Sequence, residues 1–181
     1  MKAFMMTAAL VLAGTGLAPA CPATGPDAPG ALHADWMMQG WERNEGDPDF
    51  VFAGKMARYY DLEDTGGVFY DNFAPGEAQL FGDAAVYGAN WQGLQNAARS
   101  VRHGLTDANE ALVGDTVAST TLGFVGRIDR LDGAVIAFDG RSQLGWACVD
   151  GAWKIRHELN YAWIVEPEEI ARFLGRRGRD R

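Results

Sequence analysis

Residues 134–164 read AVIAFDGRSQLGWACVDGAWKIRHELNYAWI, and the reading of this stretch decides the fold. Asp150-Gly151 stands between two apolar-rich runs, and Asp-Gly suits a two-residue hairpin because both turn residues need positive φ. Asp132-Gly133 lies 18 residues earlier, with Gly114-Asp115 at nearly the same spacing before it. Three such turns predict consecutive antiparallel strands over roughly residues 105–113, 116–130, 134–149 and 152–164. Strands of about 14 residues, at roughly 3.4 Å each, are far longer than usual. A sheet that long must bend, and Gly123, Gly126, Gly140 and Gly145 stand where bulges or kinks would bend it. Its concave side must be filled by another layer.

Upstream, the period changes to that of helices. Leu32, Trp36, Met37, Gly40 and Trp41 recur at helical spacing within residues 31–45. Asp47-Pro48-Asp49 breaks that run and starts a helix over 50–61, with Phe50, Ala53, Ala57 and Tyr60 on one face. Residues 68–71 read as a short strand before a turn at 72–76, and Asp83 caps a helix over 84–101 that carries Tyr87, Trp91 and Leu94 inward. Helices ahead of a meander predict an α+β fold, with the N-terminal helices packed in the concave face of a curved antiparallel sheet.

The chain ends carry a different signal. Residues 1–20 read as a signal peptide, with Lys2, an apolar stretch over 4–17 and Ala18-Pro19-Ala20 as the cleavage site. The expected location is therefore periplasmic or secreted. Cys21 would open the mature chain, and a membrane attachment follows only if it is lipidated; Leu17 stands one place too early for that motif. Cys21 and Cys148 are compatible with a disulfide, but Cys148 shares strand parity with Leu144 and Trp146, and a buried inert thiol is the preferred reading. Residues 21–30 read as a flexible leader, 31–165 as one domain and 166–181 as a basic tail. From 21 to 165 there are 20 acidic and 10 basic residues, a balance that excludes a phosphate-binding surface for nucleic acid.

Alternation assigns faces in the last strand. Trp153, Ile155, His157, Leu159, Tyr161 and Trp163 share the apolar side, while Lys154, Arg156, Glu158 and Asn160 share the side expected to meet solvent. His157 is thus the titratable group expected inside, as an acid or base or as a hydrogen-bonded core histidine. Asp71 would be a general base at the mouth, or ordinary turn chemistry before Ala-Pro-Gly. Trp41, Tyr60, Tyr70, Tyr87, Trp91, Phe124, Phe138, Trp146, Ile155 and Leu159 are the candidate ligand-pocket residues. Arg127 and Arg141 fall on the polar side. The three histidines have no i, i+4 pairing and no phosphate-binding glycine loop is present, so neither a metal nor a cofactor is expected.

Residues 60–71 (YDLEDTGGVFYD), 82–91 (GDAAVYGANW) and 150–158 (DGAWKIRHE) carry a resemblance to the SnoaL-like branch of the nuclear-transport-factor-2-like superfamily. This is the cone-shaped fold shared by ketosteroid isomerase, scytalone dehydratase and the association domain of a calmodulin-dependent kinase. The likeness covers roughly residues 31–164 and implies a small-molecule ligand in the cone. It leaves three roles open: a binding protein, an acid–base isomerase, dehydratase or cyclase acting on a carbonyl or polyketide-like compound, or a non-catalytic oligomerisation module. It also implies a homodimer through the outer sheet face, where Lys154, Arg156 and Glu158 are expected.

Overall fold

The computed structural model describes residues 20–63, 65–107 and 109–174; the stretch read as a signal peptide, apart from Ala20, and residues 175–181 of the basic tail lie outside it. Helix α1 (Pro29–Asp35) runs into a π-helical turn (Trp36–Gly40), closed by Trp41 N–H donating to the Trp36 carbonyl, 3.2 Å away. The short α2 (Phe52–Met56) follows, then β1 (Val68–Asp71), β2 (Leu80–Phe81) and α3 (Ala84–Asn96). Strands β3 (Ala98–Leu105), β4 (Glu110–Val113), β5 (Val117–Arg130), β6 (Val135–Val149) and β7 (Ala152–Ile164) complete the sheet, and α4 (Pro167–Leu174) closes the described chain.

The meander β5-β6-β7 is antiparallel as expected, but the sheet as a whole is mixed. Its seven strands run in the order β2-β1-β7-β6-β5-β3, with β4 also on β5, and β1 lies parallel to β7. The single strand expected over 105–113 is two: β3 and β4 pair with successive halves of β5. The chain between them passes over Gly123, where a Cβ would stand 2.5 Å from Thr106 Oγ1 and 2.6 Å from Asp107 Oδ2. Helix α3 stops at Asn96 rather than near residue 101, because residues from Ala98 onward pair with β5. Its start is as read: Asp83 Oδ1 accepts from Ala85 N at 2.7 Å and Val86 N at 3.0 Å. Of the three turns, Asp150-Gly151 has positive φ at both residues (49° and 82°), whereas only Gly133 does at the second turn and neither residue does at the first.

Both ends of the domain are more structured than the composition predicts. Cys21 is joined to Cys148 by a disulfide, Cα to Cα 5.7 Å, so Cys148 is not the inert free thiol expected. Trp153 Nε1 also donates to the Pro22 carbonyl at 2.8 Å, and Ala28 is buried, so the segment read as a flexible leader is anchored. Within the expected tail, α4 lies on the outer sheet face, with Ile170 buried against Val125 and Ala137.

One irregularity decides the interior. Trp146 pairs with Ile155 but Gly145 pairs with His157, leaving Arg156 as an extra residue in β7. This bulge reverses strand parity. Trp153 and Ile155 point into the core before it; after it Glu158, Asn160 and Ala162 do, and His157, Leu159, Tyr161 and Trp163 face outward. The face assignment read from straight alternation is therefore corrected for every residue beyond the bulge.

Candidate functional site

Helices, sheet and the β1–β2 loop enclose a cavity of about 60 Å³ inside the cone. Its wall is mostly aromatic, with Trp36 and Trp41 from the π-helical segment, Trp91 from α3, Phe73, Phe124 and Phe138. Two glycines make room for two of these rings. Phe138 lies opposite Gly126 and Phe124 opposite Gly140, and each ring occupies space that a Cβ on the facing glycine would need. Phe73, Trp91 and Leu94 are the partly exposed lining residues and mark the mouth.

A hydrogen-bonded acid pair stands at one wall. Asp71, at the end of β1, is paired in register with Asn160 of β7. Tyr87 Oη lies 3.1 Å from Asp71 Oδ2 and 2.7 Å from Glu158 Oε1; Asn160 Nδ2 lies 3.2 Å and 2.6 Å from the same two oxygens. Phe73 N–H donates to Asp71 Oδ1 at 2.7 Å. Behind the pair, Tyr60 Oη donates to Glu158 Oε2 at 2.5 Å and accepts from Trp36 Nε1 at 2.9 Å. Burial pushes the Glu158 carboxyl up to about 8, with the Asp71 charge adding to the rise and the tyrosines opposing it. Burial likewise raises Asp71 to about 6, against three hydrogen bonds that favour its charged form. Near neutral pH the wall therefore carries a neutral Glu158 beside an ionised Asp71. Tyr60 and Tyr87 are held protonated by burial and by these carboxylates.

Facing groups from other elements are buried and incompletely satisfied. Gln95 Oε1, His103 Nδ1, Trp91 Nε1 and Asn160 Oδ1 have no hydrogen-bond partner, and all four belong to residues that line the cavity. Buried polar atoms are nearly always paired, and these are four of the eight unpaired buried side-chain atoms among the described residues. His103 is kept neutral there, its pKa lowered to about 4 by burial. Among the described residues no group of three or more His, Cys, Asp and Glu is arranged to hold a metal.

The sequence candidates divide accordingly. Asp71, Trp41, Tyr87, Trp91, Phe124 and Phe138 line the cavity. Tyr60, Trp146 and Ile155 are buried in the core beside it, and Tyr60 holds Glu158 in place. Tyr70 and Leu159 pair with each other on the outer side, and His157 is exposed there, two strand positions from Tyr161. Glu158, Asn160, His103 and Gln95 were missed. For Glu158 and Asn160 no sequence signal locates the bulge that turns them inward; His103 could have been found by alternation with Val101 had β3 been recognised as a strand. A second buried histidine, His33, contacts Thr120 Oγ1 at 2.8 Å and Ser142 Oγ at 3.0 Å, is fully enclosed, and belongs to the core.

The architecture matches solved structures. A protein from Xanthomonas campestris described as a calcium/calmodulin dependent protein kinase II association domain aligns with a TM-score of 0.54 at 16% identity, over 79% of this chain and 91% of that one. The chain has the nuclear-transport-factor-2-like cone fold. A hexachlorocyclohexane dehydrochlorinase (LinA) type 2 has the same fold, with a TM-score of 0.53 at 10% identity over 75% of this chain and 85% of that one. A Novosphingobium aromaticivorans protein described as an aromatic ring hydroxylase aligns at 0.51 and 14% identity, over 64% and 80%. No family model and no curated protein matches the sequence. Cone-fold proteins with such different descriptions show that the fold by itself does not set the chemistry.

Proposed function

We propose that this chain is an exported cone-fold protein that holds a small, mostly apolar molecule with one polar end in the cavity. The observation that carries this reading is the set of unpartnered atoms on Gln95, His103, Trp91 and Asn160 around an aromatic-walled space. The Cys21–Cys148 bond supports export, since such bonds persist in oxidising compartments, and it leaves no Cys21 thiol for a lipid. The direct test is an NMR titration of the mature, disulfide-bonded chain with apolar fragments carrying one polar group. Binding should move the indole N–H signals of Trp91 and Trp36; a broad fragment panel that leaves both unmoved would count against the reading.

A second reading, acid–base turnover of a carbonyl compound, is favoured by the Asp71–Tyr87–Glu158 chain. An ionised Asp71 with a pKa of about 6 suits proton abstraction near neutral pH, and a neutral Glu158 keeps Tyr87 available as a donor. His157 has no part in it. The outer face supports a homodimer on different residues from those expected: Leu159, Tyr161 and Trp163 are 50%, 53% and 42% exposed, beside the equally bare Val68. A second copy would cover this strip.

A further inference from the structure

We infer that the polar end of the cavity's ligand is a protonated amine, seated on Asp71 and ringed by aromatic faces; this rests on the ligand-binding reading above. Charge comes first. Asp71 is buried, lines the cavity, and accepts only from neutral donors: the Phe73 N–H, Tyr87 Oη and Asn160 Nδ2. Among the described residues none of the lining ones is Lys or Arg, and neither Asp71 nor Glu158 takes part in an ion pair. A buried carboxylate without a cation is costly unless it is neutralised or paired. The wall thus offers a negative charge and no positive one, which disfavours any acidic ligand and favours a cation.

Hydrogen-bond valence points the same way. Gln95 Oε1 and Asn160 Oδ1 are unpartnered acceptors, whereas the Trp91 indole is an unpartnered donor. His103 Nδ1 is a third acceptor in the tautomer protonated on Nε2. Gln95, His103 and Asn160 are 2%, 7% and 6% exposed, so bulk water does not serve them. With the Asp71 carboxylate counted, acceptors outnumber donors on this wall in either His103 tautomer. An ammonium group has three donors and no acceptor. Much of the remaining lining is π-faces, which attract a desolvated cation. Space limits the head group: about 60 Å³ holds a handful of heavy atoms, so a longer apolar tail must run toward the mouth at Phe73, Trp91 and Leu94.

The test uses three probes of one shape on the mature, disulfide-bonded chain at pH 7: benzylamine, benzyl alcohol and benzoate, with affinities measured by NMR titration. Benzylamine should bind about tenfold more tightly than benzyl alcohol, and benzoate should be the weakest. In Asp71→Asn the amine's advantage should disappear while benzyl alcohol still binds, which also shows that the variant is folded. Should that variant fail to fold, Gln95→Leu, which removes an acceptor and no charge, should weaken benzylamine more than benzyl alcohol. Benzyl alcohol or benzoate binding as tightly as benzylamine overturns the inference and leaves the ligand-binding reading standing. An amine advantage that persists in Asp71→Asn overturns it too. Absence of binding by all three overturns the inference, while the broad fragment panel decides the ligand-binding reading.

Discussion

Glu158 makes stability depend on pH in a window that no other buried group of the interior shares. Its carboxyl is raised from 4.5 to about 8 by burial, so between those values the folded chain holds a proton that the unfolded chain has released. The sign follows: the contribution is fully present below pH 4.5 and is lost as pH rises toward 8. Asp71, raised from 3.8 to about 6, acts in the same direction, and its part fades as pH rises through 6. His33 and His103, lowered from 6.5 to about 3 and about 4, act in the opposite direction and only below pH 6.5. Between pH 6.5 and 8 the slope therefore belongs to Glu158, at about 1.4 kcal/mol per pH unit, or about 2 kcal/mol across the interval. For a domain of this size that lowers the unfolding midpoint by roughly 4–8 °C. Glu158→Gln cannot ionise, so its midpoint should stay level across this interval. Thermal unfolding followed by circular dichroism at four pH values, with the disulfide intact, is the assay. A wild-type midpoint that does not fall, or a Glu158→Gln midpoint that falls in parallel, refutes the protonated state and with it the wall described above.

The other consequences concern the two surfaces of the sheet. Closing a loop of 127 residues, the Cys21–Cys148 bond should stabilise the domain by about 5 kcal/mol on chain-entropy grounds, so Cys148→Ser should lower the denaturant midpoint sharply; a thiol reagent that labels the unreduced, unfolded wild-type chain would show that the bond is absent. On the outer face, light scattering of the mature chain at micromolar concentration should give a dimer mass and Trp163→Glu a monomer; a monomer mass for the wild type refutes the second-copy reading.

Much of this protein is written locally. Asp150-Gly151 needs only its own φ angles, and Asp83 only the N–H groups two and three residues on, so the hairpin and the start of α3 were legible. Alternation within β6 and the run of helices before it also suffice for an α+β class with a filled concave face. The candidate site was legible where short-range pattern places Asp71 on β1, Tyr87 and Trp91 on α3, Trp41 after the first helical run, and Phe124 and Phe138 on the long strands. What the chain alone did not determine depends on distant partners. The parallel pairing of β1 with β7 joins residues about 90 positions apart, as does the Asp71–Asn160 contact. Cys21 meets Cys148 because the segment around Cys21 crosses the end of β6, a matter of three-dimensional course rather than spacing. Above all, one extra residue at Arg156 exchanges the faces of β7: it sends His157 to the surface and brings Glu158 between Tyr60 and Tyr87. A period of two carries no memory of its phase, so that exchange was decided by tertiary contacts, which supply Glu158 with three hydrogen bonds inside the cone.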